Sequence, residues 1–157
     1  MIKLKNILCP LDFSENSQEA LQYAIHLMLK DDDATLYLVH VVDSRVFDYS
    51  GPMYEQEVPL MRVELDQSTR EQLEKKLLAE VPEEIQNRVE TTILFGVPFL
   101  EIIMAAKDKN IDLIVIGTHG RTGLAHMIMG SVAEKVVRKA SCPVLSVKSK
   151  KKNIPPL

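Results

Sequence analysis

Tryptophan is missing from the 157 residues, cysteine occurs twice, glycine six times, and phenylalanine and tyrosine four times each. The two cysteines, Cys9 and Cys142, lie in separate apolar runs with no CxxC or Cys/His spacing nearby. That excludes a disulfide framework and a zinc-ribbon site, and both read as reduced core residues. Long hydrophobic runs are also missing: no window approaches the roughly 18 consecutive apolar residues of a membrane span. The run Ile7 to Leu11 is broken by Pro10 and closed by Asp12, so the N-terminus reads as a buried strand and not as a signal peptide. A cytoplasmic protein with no membrane partner is expected. Nor is there an excess of one charge: 19 basic against 22 acidic residues leave a formal net charge of −3. Such a balance gives no global attraction for nucleic acid, so an anionic ligand must be held by local backbone donors and a few placed cations. Neither GxxxxGK[ST] nor GxGxxG occurs, which excludes the P-loop and dinucleotide fingerprints.

What is present is a regular alternation. The chain is 46% hydrophobic and 26% charged, enough for one core. Apolar runs of strand length at Leu4 to Cys9, Thr35 to Val42, Val89 to Phe95, Asp112 to Ile116 and Pro143 to Val147 are separated by segments of helical period. Five strands and four helices in this order predict an α/β fold, a parallel sheet covered by crossover helices on both faces. Ser14 can cap the first helix, whose Leu21, Ala24, Ile25 and Met28 share a face; Asp31, Asp32 and Asp33 end it. Met61 to Glu80 reads as a charged helix with Asp66/Arg70 and Glu71/Lys75 at supportive spacing. Pro98 opens a third helix, with Leu100, Ile103 and Met104 on one face, and a fourth runs from Ser131 to Ala140 with Ala133, Val136, Val137 and Ala140 inward. Between Asp43 and Pro59 periodicity disappears, although Phe47, Tyr49 and Tyr54 fall there around Gly51-Pro52, and a flap and a loosely packed excursion are both open readings. One domain is expected over 1–148, with a basic, disordered tail at 149–157.

Four of the six glycines gather after the fourth strand, in Gly117-Thr-His-Gly120-Arg-Thr-Gly123 and then Gly130-Ser131 at the opening of a helix. Ligands of open parallel sheets bind beyond the carboxyl ends of the strands, and a helix N-terminus offers unpaired N–H groups to phosphate. This loop is therefore the candidate anion cradle. Gly130 would let the backbone approach the ligand, at a backbone angle open chiefly to glycine, and Ser131 would serve as cap and donor. His119 and Arg121 are candidate phosphate contacts, and Asp12 either caps the first helix or meets a ligand. His126 lacks companions for a metal site, and His26 and His40 read as surface or packing residues.

Gly117-x2-Gly120-x9-Gly130-Ser131 resembles the G-x2-G-x9-G-[ST] signature of ATP-binding universal stress proteins. The likeness extends through Ile7-Leu-Cys-Pro-Leu-Asp12-Phe-Ser14, His40-Val-Val-Asp43, Gly96-x-Pro98 and Cys142-Pro-Val-Leu145. The resemblance implies a three-layer, Rossmann-like sheet of order 3-2-1-4-5, related to the adenine nucleotide alpha hydrolases, with Asp12 and Gly117 facing one crevice. It implies ATP, with magnesium or manganese riding on the phosphates. Pro10, Asp12 and the backbone of Val41 would lie at the adenine and ribose end. Gly117 and Gly120 would line ribose and α-phosphate, and Gly130, Ser131 and Val132 would bind the outer phosphates. A homodimer through Pro143 to Val147 is implied too, and an uncovered apolar edge strand invites it independently. No Ser/His/Asp or Cys/His arrangement lies near the loop, so the expected role is regulatory binding in a stress response with at most weak ATP hydrolysis. A slow nucleotide-processing enzyme and a nucleotide-independent interaction module are the alternatives. Protein partner and stress signal are not encoded in any motif.

Overall fold

The structure, a computed structural model, describes residues 2–44, 65–119 and 129–149. The expectations for Phe47, Tyr49 and Tyr54, for the helix start at Met61, for Gly120, Arg121 and His126, and for the tail from residue 150 lie outside these residues. Five parallel strands form one sheet: β1 (Asn6–Pro10), β2 (Thr35–Asp43), β3 (Val89–Gly96), β4 (Leu113–Gly117) and β5 (Val144–Val147). Their order is β3-β2-β1-β4-β5, with β1 paired to both β2 and β4. Helices α1 (Glu15–Met28), α2 (Gln67–Ala79), α3 (Pro98–Asp108) and α4 (Ser131–Lys139) cover it.

Successive side chains of a strand point to opposite faces, and the core divides accordingly. Ile7, Cys9, Leu36, Leu38, Val115 and Val147 pack with the buried stripe of α1 and with Leu77 of α2 on one face. Leu8, Val39, Ile114 and Ile116 pack with Ile102 and Ala106 of α3 and with Ala133 and Val136 of α4 on the other. A central strand covered on both faces cannot alternate polar with apolar, which is why β1 reads Ile-Leu-Cys-Pro. Burial pushes the Cys9 thiol up to about 12, so it stays protonated and unreactive near neutrality.

Caps account for several boundaries. Ser14 accepts a hydrogen bond from the Ser17 N–H and starts α1, whose Leu21, Ala24, Ile25 and Met28 are buried as the spacing predicts, with Ala20 beside them. Asp66 caps α2 through the Thr69 N–H at 2.9 Å, which sets the start of α2 at Gln67. Its expected partner Arg70 instead donates to the Ile93 carbonyl of β3 at 2.8 Å. A short 3-10 turn, Glu83–Arg88, escapes the sequence reading. Arg88 explains its value: the guanidinium donates to the carbonyls of Met28, Asp31 and Ala34, closing the C-terminal end of α1.

Two inward faces differ from expectation. In α3 the buried residues are Ile102 and Ala106, while Leu100 and Met104 are 44% and 55% exposed. The stretch Phe-Leu-Glu-Ile-Ile-Met-Ala-Ala is apolar nearly all round, so periodicity offers competing stripes and the approach of α4 selects one. In α4, Ala133 and Val136 are buried but Val137 is 45% exposed.

Candidate functional site

Strands β1 and β4 are neighbours, yet the helices that follow them leave to opposite faces, α1 to one and α4 to the other. The sheet therefore opens a crevice where the turns after β1 and β4 separate, which is the place where ligands of such sheets bind.

One wall is the turn Leu11 to Ser14. Leu11 extends the ladder by donating its N–H to the Val39 carbonyl at 2.8 Å, and its own carbonyl meets His40 Nδ1 at 2.8 Å. Asp12 is not the cap of α1, since Ser14 holds that place. Asp12 Oδ1 accepts the Ser14 N–H at 3.0 Å, which folds the turn and leaves the carboxylate beside the crevice. Phe13 has φ of 64°, a left-handed conformation that L side chains rarely adopt. Pro10, buried at the end of β1, is paired with Val39 of β2, and Val41, half-buried, lies two residues further along β2.

The other wall leaves β4. A Cβ on Gly117 would lie 2.7 Å from the Asn16 carbonyl carbon and 2.8 Å from the Ser17 nitrogen, so the first turn of α1 rests directly on the glycine backbone. Thr118, buried, donates its N–H to Val147 of β5 at 2.8 Å, and its hydroxyl pairs with His119 Nδ1 at 3.0 Å. The Ser14 hydroxyl reaches the His119 carbonyl at 3.5 Å, so the two walls meet although 105 residues separate them.

The N-terminal ends of α1 and α4 both face this region, and they differ. That of α1 is capped by a serine and followed by Glu15, whereas Gly130 caps α4 with no side-chain hydrogen bond. Anions favour the helix end whose donors are unspent. Two expectations for Gly130 need correction. Its φ of −68° and ψ of 157° suit any residue, so no glycine-only angle is involved. Its N–H donates to the Thr118 carbonyl, which pins the two ends of the intervening loop together. Ser131 is the first helical residue and exposed, so it is not the cap; Val132 is half-buried against the α3–α4 face of the core. The donors at this end are the N–H groups of Ser131, Val132 and Ala133 with the Ser131 hydroxyl.

The sequence reading missed Asn16, Thr118 and the part played by His40. Asn16 Oδ1 accepts the Ser149 N–H at 2.8 Å, fastening the chain beyond β5 to the start of α1. Asn16 stands in no quoted motif, and Thr118 and His40 lie within motif stretches without being singled out there; only adjacency to Gly117 could have drawn attention to Thr118. Among the described residues, no group of three His, Cys, Asp or Glu could hold a metal ion, and no helix is long and apolar enough to cross a membrane.

The sequence model of the universal stress protein family matches residues 3–148. Universal stress protein MJ0531 of Methanocaldococcus jannaschii is 41% identical over 148 residues, covering 94% of this chain and 84% of the relative. The solved structure of MJ0577 superposes with a TM-score of 0.67 at 29% identity, covering 96% of this chain and all of that one. A universal stress protein from Archaeoglobus fulgidus, solved in complex with dAMP, gives a TM-score of 0.54 over 94% of this chain and 100% of that one; at 22% identity the likeness is one of fold.

Proposed function

This chain belongs to the universal stress protein family, and from that premise we propose that it binds ATP in the crevice between the β1–α1 turn and the start of α4, and acts as a nucleotide-dependent regulatory protein of stress response. The observation that carries the reading is the contrast between the two helix ends: in α1 the Ser17 N–H is taken by the Ser14 hydroxyl and Glu15 adds negative charge, whereas no side chain caps the first turn of α4. Phosphate then belongs at Ser131 and Val132, and the nucleoside at the Asp12 turn beside Pro10 and Val41. Gly120, His119 and Arg121 fall in the stretch of sequence between. The complex of the A. fulgidus protein with dAMP supports an adenine nucleotide on this fold. Magnesium or manganese accompanying ATP would be held chiefly by the phosphates, because no metal-binding cluster stands among the described residues.

Calorimetric titration with ATP and adenosine tests the assignment. Asp12→Ala should weaken both ligands alike, because its contacts lie on the shared nucleoside. Ser131→Ala should cost ATP roughly ten- to a hundredfold, the worth of one charge-assisted hydrogen bond, and leave adenosine unchanged. Wild-type protein that binds neither ligand at millimolar concentration would reject the reading outright.

The edge strand β5 supports the further proposal of a homodimer. Among the described residues it pairs only with β4, and Leu145 and the neighbouring Val137 of α4 are 37% and 45% exposed. Val147 faces the core and is unsuited to a test. Leu145→Lys is expected to shift the protein from dimer to monomer in sedimentation velocity, and a wild type already monomeric at micromolar concentration would remove the proposal.

A further inference from the structure

We infer that His40 is a positioning residue for the nucleoside end of the crevice, holding the Leu11-Asp12-Phe13 turn in place through the Leu11 carbonyl and the Phe13 ring. The inference rests on the nucleotide reading and goes beyond it, since His40 belongs to β2 and to no motif of the glycine loop.

Three observations converge. His40 Nδ1 lies 2.8 Å from the Leu11 carbonyl oxygen, and the imidazole lies 5.2 Å from the Phe13 ring at 45°. Phe13 itself is held at φ of 64°, one of two non-glycine residues with positive φ among the described residues. A strained residue persists only where its surroundings over-determine it, and such residues cluster at ligand sites. Here the surroundings are identifiable: His40 on one element and Lys76 of α2, whose ammonium sits 4.0 Å from the Phe13 ring centroid, on another. Asp12 lies between the two points that His40 holds, the carbonyl before it and the ring after it.

Packing alone does not account for a histidine at this position. The preceding residues with the same inward direction on β2 are Leu36 and Leu38, both fully buried. A leucine at 40 would continue that stripe but could not meet the Leu11 carbonyl, which would lose its partner in a part-buried place. A carbonyl only accepts, so Nδ1 carries the proton in this contact. Both the neutral Nδ1–H tautomer and the imidazolium satisfy it, so the contact itself is one of geometry.

The experiment compares His40→Leu, which lacks the donor, with His40→Asn, whose amide nitrogen can take the place of Nδ1. For ATP and adenosine His40→Leu should bind about tenfold more weakly, the order expected when one hydrogen bond that orders a site is lost. Inorganic tripolyphosphate, which probes the α4 end alone, should bind both variants as it binds wild type. His40→Asn should recover most of the adenosine affinity. In ligand-free protein, His40→Leu should speed exchange of the Ser14 amide, which is bonded to Asp12, without altering amides of α3. The inference is overturned by wild-type adenosine affinity in His40→Leu, by an Asn variant no better than Leu, or by unchanged Ser14 exchange. If wild type binds neither ATP nor adenosine the nucleotide reading fails, and the Ser14 exchange still decides whether His40 holds the turn.

Discussion

Replacing Gly117 by alanine is expected to destabilise the protein by about 3 kcal/mol, the upper part of the range for overpacking, lowering the melting temperature by roughly 10 °C for a chain of this size. The added carbon would stand 2.7 to 2.8 Å from three backbone atoms of Asn16 and Ser17. Flexible side chains yield to such an intrusion; the first turn of a helix does not. For α1 to retreat, the Ser14 to His119 contact and the Asn16 to Ser149 hydrogen bond must lengthen together. The backbone angle at Gly117 is not left-handed, so the whole effect is steric. Denaturant unfolding measures it, and an alanine variant within roughly 0.5 kcal/mol of wild type would show that α1 is free to shift. A consequence for the ligand site follows. Gly117 substitutions disturb fold and crevice together, so they cannot by themselves assign this glycine a contact with nucleotide.

Ser131→Pro should do the opposite, leaving stability unchanged and removing phosphate recognition. Proline is favoured at the first position of a helix, because the N–H it lacks has no intrahelical partner there. Gly130, at φ −68° and ψ 157°, already holds the extended conformation that a following proline requires. The substitution therefore deletes two proposed donors, the Ser131 N–H and hydroxyl, with little cost to α4. Two charge-assisted hydrogen bonds correspond to a loss of at least about a hundredfold in ATP affinity, with adenosine unaffected. A proline variant that binds ATP as wild type does would place the phosphates elsewhere, whereas one that loses adenosine as well would reveal that α4 had moved.

Signals confined to a few neighbouring residues were legible without coordinates. Ser14 as a cap, the stripe Leu21, Ala24, Ile25 and Met28, Pro98 at a helix start, and five apolar runs each depend on contacts within one turn or on burial across one strand. The same logic fails where the pattern is redundant. In α3 nearly every residue is apolar, so the buried face was settled by where α4 approaches, and Leu100 and Met104 ended outside. It fails also where a side chain serves another element: Arg70 bonds β3 and not Asp66, and Arg88 closes α1 from some 60 residues away.

The site divides in the same way. Glycine spacing and family resemblance marked Asp12, Gly117, Gly130 and Ser131 as a group, and the strand order that brings β1 beside β4 was available only through that resemblance. By itself, then, the sequence determined the elements, their alternation and the family, because periodicity, caps and motif spacing are properties of short stretches of chain. Tertiary structure alone decided that Gly117 bears the weight of α1, that the Gly130 N–H is spent on Thr118, and that His40 supports the turn carrying Asp12. These are contacts between residues 12 to 101 positions apart, formed only when the sheet assembles, and no local pattern encodes which carbonyl a distant donor will meet.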